Sequence, residues 1–74
     1  GVNKMRDFFP IALSELNTKG EEVGTLFLFL NHIVGIRKFE KHSEIIALNS
    51  KYLVRESFED ITKKCAIYGL MKVV

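Results

Sequence analysis

Residues 24–39 read Gly24-Thr25-Leu26-Phe27-Leu28-Phe29-Leu30-Asn31-His32-Ile33-Val34-Gly35-Ile36-Arg37-Lys38-Phe39, the longest apolar run in the chain, interrupted once by a polar pair. The run fits either one buried helix or two strands that meet at Asn31-His32. As a helix it would be apolar on every side, and a small domain has little room to bury such a helix. As strands, residues 25–30 and 33–39 have the usual length, and Asn31 tolerates turn geometry. The pattern favours the hairpin, although Asn-His is a weaker turn signal than Asn-Gly.

The length and composition of the sequence are typical of one small globular domain. The chain has 74 residues, of which 47% are hydrophobic and 27% are charged. A chain of this length buries a limited fraction of its surface, so oligomerisation would add burial. The net charge is +2 and the basic residues are scattered along the chain. This is a weak argument for direct binding to nucleic acid, because phosphate-binding modules usually concentrate Lys and Arg on one face.

The cellular setting is inferred from what the sequence contains. Cys65 is the single cysteine, so the chain forms no internal disulfide, which fits a reducing cytoplasm. The first residues are polar and do not resemble a signal peptide, and the central run is shorter than the roughly 20 residues that cross a bilayer. We therefore expect a soluble cytoplasmic protein without a membrane partner. The beginning on Gly1 and the end on Val73-Val74 in mid-pattern indicate a piece of a longer protein.

The segment before the central run is ambiguous. Residues 8–13 are apolar enough to be buried, and Pro10 suits either the first turn of a helix or an edge strand. Residues 14–22 are predicted to be a polar loop with Gly20 at its turn. We therefore divide the chain into a lead-in segment, residues 1–23, whose form as helix, strand or linker is open, and a β-rich domain, residues 24–74.

After the central run the pattern predicts further strands and a short helix. Residues 44–48 contain two isoleucines and are followed by a turn signal, so they form a strand, and residues 52–56 are a further extended segment. Ser57 is a good N-cap for a helix of one or two turns over residues 58–64. Residues 66–74 favour a last strand, with a bulge or a close backbone approach at Gly69. The predicted fold is mostly β, a small twisted antiparallel sheet or partial barrel with one short helix.

Four segments in order resemble the last half of the LexA/UmuD-type domain at the C-terminus of temperate-phage repressors. They are residues 24–29, 34–39, 45–52 and 67–74, and the resemblance covers residues 24–74. In that family a Gly-led strand runs into a hairpin, and the return strand carries a Val-Lys-Arg-aliphatic signature. An aliphatic strand then ends in an Asn followed closely by a Tyr, as Asn49 and Tyr52 do here, and a final strand closes a barrel-like sheet.

The catalytic features of that family do not match. Self-cleaving members use a Ser in a Gly-x-Ser-Met context, activated by a Lys on the return strand, and Arg37 stands at the position of that Lys. Arginine stays protonated in proteins and cannot act as the base. None of the serines lies in the nucleophile motif. The resemblance therefore implies a non-cleaving relative, or a fragment that lacks the nucleophile segment. We expect no catalytic residue, no cofactor and no metal.

What the resemblance implies is self-association. Such domains form dimers or higher oligomers, so that N-terminal DNA-binding domains, absent from this chain, bind operator half-sites cooperatively. DNA would be contacted only through those domains, in the cytoplasm of a bacterial host, and an antirepressor protein is a further potential partner. The apolar side chains that we select for self-association are Phe8, Phe9, Met71 and Val73.

The alternative is a small helical or winged-helix module that binds DNA directly. It requires residues 20–38 to form one long helix, and the basic residues of 37–41 and 63–64 to meet phosphate. For each basic pair a solvated face is the simpler interpretation.

Other residues that suggest chemistry have simpler explanations. His32 is a turn residue, His42 is exposed, and Cys65 is a small buried hydrophobe. Two His and one Cys at these separations lack the spacing of a zinc site. Adjacent carboxylates such as Glu59-Asp60 do not face one another in a helix or a strand.

Overall fold

The computed structural model describes residues 10–67, which form a mostly β fold with one short helix, as predicted. The strands are β1 (Pro10–Leu16), β2 (Glu22–Phe29), β3 (Ile33–Lys38), β4 (Ser43–Ala47) and β5 (Lys51–Val54), and the helix is α1 (Phe58–Ile67). A turn of 3-10 helix, Leu30–His32, joins β2 to β3. The strands form an antiparallel sheet in the order β2-β1-β5-β4-β3.

Both strands of the central run are present, but the predicted hairpin between them is wrong. β2 pairs with β1 and β3 pairs with β4, so β2 and β3 occupy opposite edges of the sheet. The favoured two-residue hairpin turns need positive φ angles, and no residue other than glycine in the described part of the chain has one. Asn31-His32 therefore lies in a 3-10 turn that carries the chain from one edge to the other. The alternative of one helix over residues 20–38 is excluded, because β2 and β3 occupy that range.

The short connection between the edge strands requires the sheet to curl. From Phe29 to Ile33 the backbone can span at most about 14 Å, at roughly 3.5 Å per residue. In a flat sheet of five strands the two edge strands would lie about 19 Å apart, at roughly 4.8 Å per strand. The sheet therefore bends so that the end of β2 approaches the start of β3, and its concave face encloses the core.

The core lies between this concave face and α1. The helix presents Ile61 and Cys65, both buried, to the side chains of the sheet. Every second residue of β4 is buried, as expected for a strand with one face on the core. The buried core residues are Ile11, Leu13, Leu28, Leu30, Ile45, Val54, Ile61 and Cys65.

The Ser57 cap predicted for α1 is confirmed. The Ser57 hydroxyl accepts a hydrogen bond from the backbone N–H of Asp60, at 3.1 Å. The helix spans ten residues and is therefore longer than the predicted one or two turns, because Ile61 and Cys65 gain packing against the sheet. It includes Ala66 and Ile67, which we predicted to begin the last strand; the rest of that strand lies outside the described residues.

The lead-in segment contributes a strand to the sheet. β1 runs to Leu16, so the predicted polar loop over residues 14–22 is shorter than expected and covers only Asn17 to Glu21. Gly20 has φ +83°, as its predicted turn role requires. The Asn17 side-chain oxygen accepts backbone hydrogen bonds from Lys19 and Glu21, each at 2.9 Å, and fixes the turn.

The junction between β1 and β5 joins the two halves of the sheet over a short length. Glu15 lies opposite Val54, and Leu16 lies opposite Leu53. Beyond them the Arg55 N–H donates to the Ser14 carbonyl at 2.8 Å. The Ser14 N–H in turn donates to both carboxylate oxygens of Glu56, at 2.9 and 3.1 Å. The Glu56 side chain thus takes the place of a strand carbonyl and extends the ladder after β5 has ended.

Candidate self-association surface

The outer side of the β1–β2 hairpin carries an apolar surface. Side chains alternate along each strand, so Leu26 and Leu28 face the core and the residues between them face outward. The register places Ala12 opposite Phe27 and Pro10 opposite Phe29, so these outward side chains lie together. We call this surface the hairpin face, and its members are Pro10, Ala12, Thr25, Phe27 and Phe29.

The two phenylalanines of the hairpin face are well exposed. Phe27 is 63% exposed and Phe29 is 42% exposed. Val23, earlier on β2, is 59% exposed, and no charged residue occurs between Val23 and Leu30. Single exposed apolar residues are normal on a protein surface, whereas a contiguous apolar patch marks a contact site.

The backbone of β2 also presents hydrogen-bonding groups along its outer edge. The N–H and C=O of Ser14 bond toward β5, to Glu56 and Arg55, so they do not bond to β2. Thr25, which lies opposite Ser14, is then in a non-hydrogen-bonded pair, and its own N–H and C=O point away from β1. Because this orientation repeats every second residue, Phe27 also directs its N–H and C=O outward, and Phe29 directs its N–H outward. The C=O of Phe29 is that of the N-cap of the 3-10 turn and accepts a bond within that turn. Within residues 10–67, β1 is the one strand that pairs with β2.

The other edge strand, β3, has features that discourage strand pairing. Its ladder with β4 is interrupted between Ile33 and Gly35, which leaves Val34 as a bulge residue. It also carries two charged residues, Arg37 and Lys38. Bulges and charges are the usual devices that protect a sheet edge. The bulge of β2 lies at its start, at Val23, so the part from Thr25 to Phe29 is left regular.

Arg37, which the resemblance aligns with the catalytic Lys of the LexA/UmuD-type family, lies on β3 and is exposed. Its guanidinium is 3.5 Å from the Glu44 carboxylate on β4. Lys38 binds the Glu59 carboxylate on α1 at 2.8 Å. This hydrogen bond from Lys38 holds the pKa of Glu59 below its ordinary value. Both basic residues therefore have carboxylate partners on neighbouring elements.

The four residues selected from the sequence for self-association, Phe8, Phe9, Met71 and Val73, all lie outside the described residues. The structure exposes Phe27 and Phe29 instead, two residues of the predicted central hairpin that are not among those four. The signal for them was present in the alternation of Leu and Phe. If the leucines of such a strand face the core, the phenylalanines face outward.

The histidines and the cysteine do not form a common site. His32 ends the 3-10 turn with its ring 6.0 Å from that of Phe29, and His42 stacks on Phe39 at 4.8 Å. Cys65 is buried, as predicted, and this burial raises the pKa of its thiol. Among residues 10–67 no three His, Cys, Asp or Glu side chains come together as metal ligands would.

A shallow apolar groove lies between β3 and α1. Its volume is about 270 Å³, and it is lined by Leu30, Ile33, Val34, Gly35, Ile36, Phe58, Thr62 and Cys65. The buried Cys65 thiol is the one titratable side chain in this lining. Among the described residues the groove therefore offers no pair of groups for acid–base or nucleophilic chemistry.

Within residues 10–67, no helix is long and apolar enough to span a bilayer. Comparisons with protein-family models, with curated proteins and with solved structures find no match.

Proposed function

We propose that this chain is a self-association domain that pairs with copies of itself through the hairpin face and the outer edge of β2. The observation that carries the proposal is the exposure of Phe27 and Phe29 on an edge strand that has no charged residue from Val23 onward. Water-exposed phenylalanines beside strand-edge backbone groups that have no strand partner within residues 10–67 gain from contact with a second protein surface.

The area of the two side chains sets the scale of the association. With about 200 Å² for a whole phenylalanine, exposures of 63% and 42% correspond to about 210 Å² per copy. Complete burial of this area on both copies would contribute at most about 10 kcal/mol, at roughly 25 cal/mol per Å², and contact along the outer edge of β2 buries only part of it. Association costs about 4–15 kcal/mol, so phenylalanine burial alone does not exceed that cost. Further contacts must supply the net affinity, and we expect a reversible, micromolar association.

The resemblance to the LexA/UmuD-type domain supports a place for this association in transcription. In this proposal the chain is the C-terminal domain of a phage-type repressor in a bacterial cytoplasm, and DNA-binding domains outside the chain are held together by it. Linking two weak DNA-binding domains raises the effective concentration of the second one, with avidity gains on the order of 10²–10⁴. An antirepressor that covers the hairpin face would release the operator.

The domain is proposed to act without peptidase activity. Arg37 stands where a cleaving relative has its lysine base, and its guanidinium is engaged by Glu44. The rival function, direct DNA binding by this chain, depended on a helix over residues 20–38 that is absent, and on basic side chains of which Arg37 and Lys38 are ion-paired.

The test is cooperative DNA binding by a fusion protein. The chain is joined to a monomeric DNA-binding domain, and binding to one half-site and to two half-sites is compared. We expect a cooperative gain that is lost in the double variant Phe27→Asp/Phe29→Asp. Leu48→Asp is the matched control, because Leu48 is 68% exposed in the turn between β4 and β5, away from the hairpin face.

Two results would argue against the proposal. One is equal half-site and double-site affinity for the unmodified fusion. The other is an equal loss of cooperativity in Leu48→Asp and in the double variant, which would show that charge on any exposed apolar residue has the effect. Tight, salt-sensitive binding of duplex DNA by the chain without the fused domain would favour the rival function.

A further inference from the structure

We infer that two copies pair edge to edge through β2, antiparallel and centred on Phe27, so that two five-stranded sheets become one continuous sheet. This inference rests on the proposed function and specifies its contact. It is drawn from the direction of the backbone groups of β2 and from the distribution of charge along the two edge strands.

The outward backbone groups define the register. Thr25 and Phe27 direct their N–H and C=O away from β1, and Phe29 directs its N–H the same way, as the Ser14 bonds require. In a pairing centred on Phe27, Thr25 of each copy lies opposite Phe29 of the other, and the two Phe27 residues lie opposite one another. The Phe27 pair then exchanges two bonds, and each Thr25–Phe29 pair contributes one, from the Phe29 N–H to the Thr25 C=O, because the Phe29 C=O caps the 3-10 turn. The contact therefore contains about four bonds.

A shift of the register toward the start of β2 is less favourable. It would place Phe29 opposite Val23, the bulge residue of β2, and the ladder is disrupted at a bulge. The register centred on Phe27 uses only the regular part of the strand.

The symmetry of this pairing places the phenylalanines in one patch. A two-fold axis normal to the sheet keeps both hairpin faces on the same side, so the two Phe27 rings form a cross-strand pair. Each Phe29 lies beside Thr25 of the other copy. Aromatic pairs and pairs of aromatic with β-branched residues are among the stabilising cross-strand combinations. Such a contact is isologous and closes as a dimer.

A second copy is the occupant that the edge fits. From Val23 to Leu30 the strand contains neither a charged residue nor a proline, so two identical edges approach without like-charge repulsion. The opposite edge strand has Arg37, Lys38 and a bulge, so it is poorly suited to the same role and growth of the sheet stops at two copies.

The experiment is an isotope-filtered NMR measurement on a mixture of labelled and unlabelled 74-residue chains. In the proposed register Leu26 of one copy and Leu28 of the other form a non-hydrogen-bonded pair, with Cα atoms about 4.5 Å apart. An intermolecular NOE between their Hα atoms is the expected result. A dimer that lacks this NOE but shows others would overturn the pairing and leave self-association intact. A monomer at every concentration would remove both proposals.

A variant pair tests the hydrogen bonds. Phe27→Pro removes one outward N–H from each copy, and therefore two bonds from the dimer, without removing a bond to β1. With the loss of packing as well, we expect the dimer dissociation constant to rise by about 30-fold or more. Phe27→Leu keeps the N–H and is expected to stay within about tenfold of the parent. Equal weakening in both variants would overturn the pairing. The pairing would also be overturned if the monomer protected the amides of Thr25, Phe27 and Phe29 from hydrogen exchange, because the chain's own terminal segments would then cover the edge of β2.

Discussion

Glu56 stabilises the weakest junction of the sheet, and its removal tests how the two halves are held together. Glu56→Ala deletes the carboxylate that accepts the Ser14 N–H at 2.9 and 3.1 Å. The direct strand pairing at this junction is confined to Glu15–Val54 and Leu16–Leu53, so little else compensates for the loss.

The expected magnitude follows from the burial of the two groups. A hydrogen bond to a charged group contributes about 1.5–3 kcal/mol, and a donor left without a partner costs about 1–3 kcal/mol. Ser14 and Glu56 are both half-buried, so water replaces part of the lost interaction. We therefore expect Glu56→Ala to lower the free energy of unfolding by about 1–2 kcal/mol, and Tm by roughly 4–16 °C, for a domain of this size.

The assay is urea unfolding followed by circular dichroism at one fixed protein concentration, since association adds to apparent stability. Glu56→Gln retains one acceptor oxygen and should recover most of the loss. Glu59→Ala is the surface control, because Glu59 is exposed and holds a carboxylate in an ion pair with Lys38. The interpretation is refuted if Glu56→Ala is no more destabilising than Glu59→Ala, or if the Gln and Ala variants of Glu56 are equally unstable.

Three further predictions concern the core and the surface. Ser43 is fully buried and its hydroxyl has no hydrogen-bond partner among residues 10–67. Ser43→Ala should therefore leave the free energy of unfolding unchanged or raise it by up to about 1 kcal/mol, while Ile45→Ala in the same strand should lower it by about 2–5 kcal/mol. A clear loss of stability in Ser43→Ala would show that the hydroxyl is bonded. The buried Cys65 thiol, with its raised pKa, should react with a thiol reagent far more slowly in the folded protein than in urea, and equal rates would contradict its burial. The lowered pKa of Glu59 means that its ion pair with Lys38 stabilises the fold above the ordinary Glu pKa of about 4.3. The difference in unfolding free energy between the parent and Lys38→Gln should therefore shrink as the pH falls through the lower, folded-state pKa of Glu59. A difference that persists at still lower pH would contradict this assignment.

The parts of the fold that are determined by residues adjacent in the sequence were predictable. The β4 strand, the extended segment of β5 and the Ser57 cap each follow from a few adjacent residues, and the structure contains all three. The pairing of β2 was not predictable in this way. Its partner is β1, a segment in which Pro10 suited helix and strand equally, and the preference of Asn31-His32 for a 3-10 turn has no strong local signal.

The candidate surface could not be predicted from the sequence, for a related reason. The exposure of Phe27 and Phe29 depends on β2 having one face on the core and one outside, and a run of alternating Leu and Phe is apolar on both faces. The Glu56–Ser14 contact joins residues 42 positions apart, so no local pattern indicates it. Arg37 was placed correctly on a strand after the turn, because the passage from apolar to basic residues is itself local.

The mass of the chain in solution tests the central claim most directly. In sedimentation equilibrium the parent should move from 8.5 kDa toward twice that mass as its concentration rises through the range on the order of tens of micromolar. Phe27→Asp/Phe29→Asp should stay at 8.5 kDa and Leu48→Asp should behave as the parent does. A parent chain that remains a monodisperse 8.5 kDa species throughout that range would contradict self-association through the hairpin face.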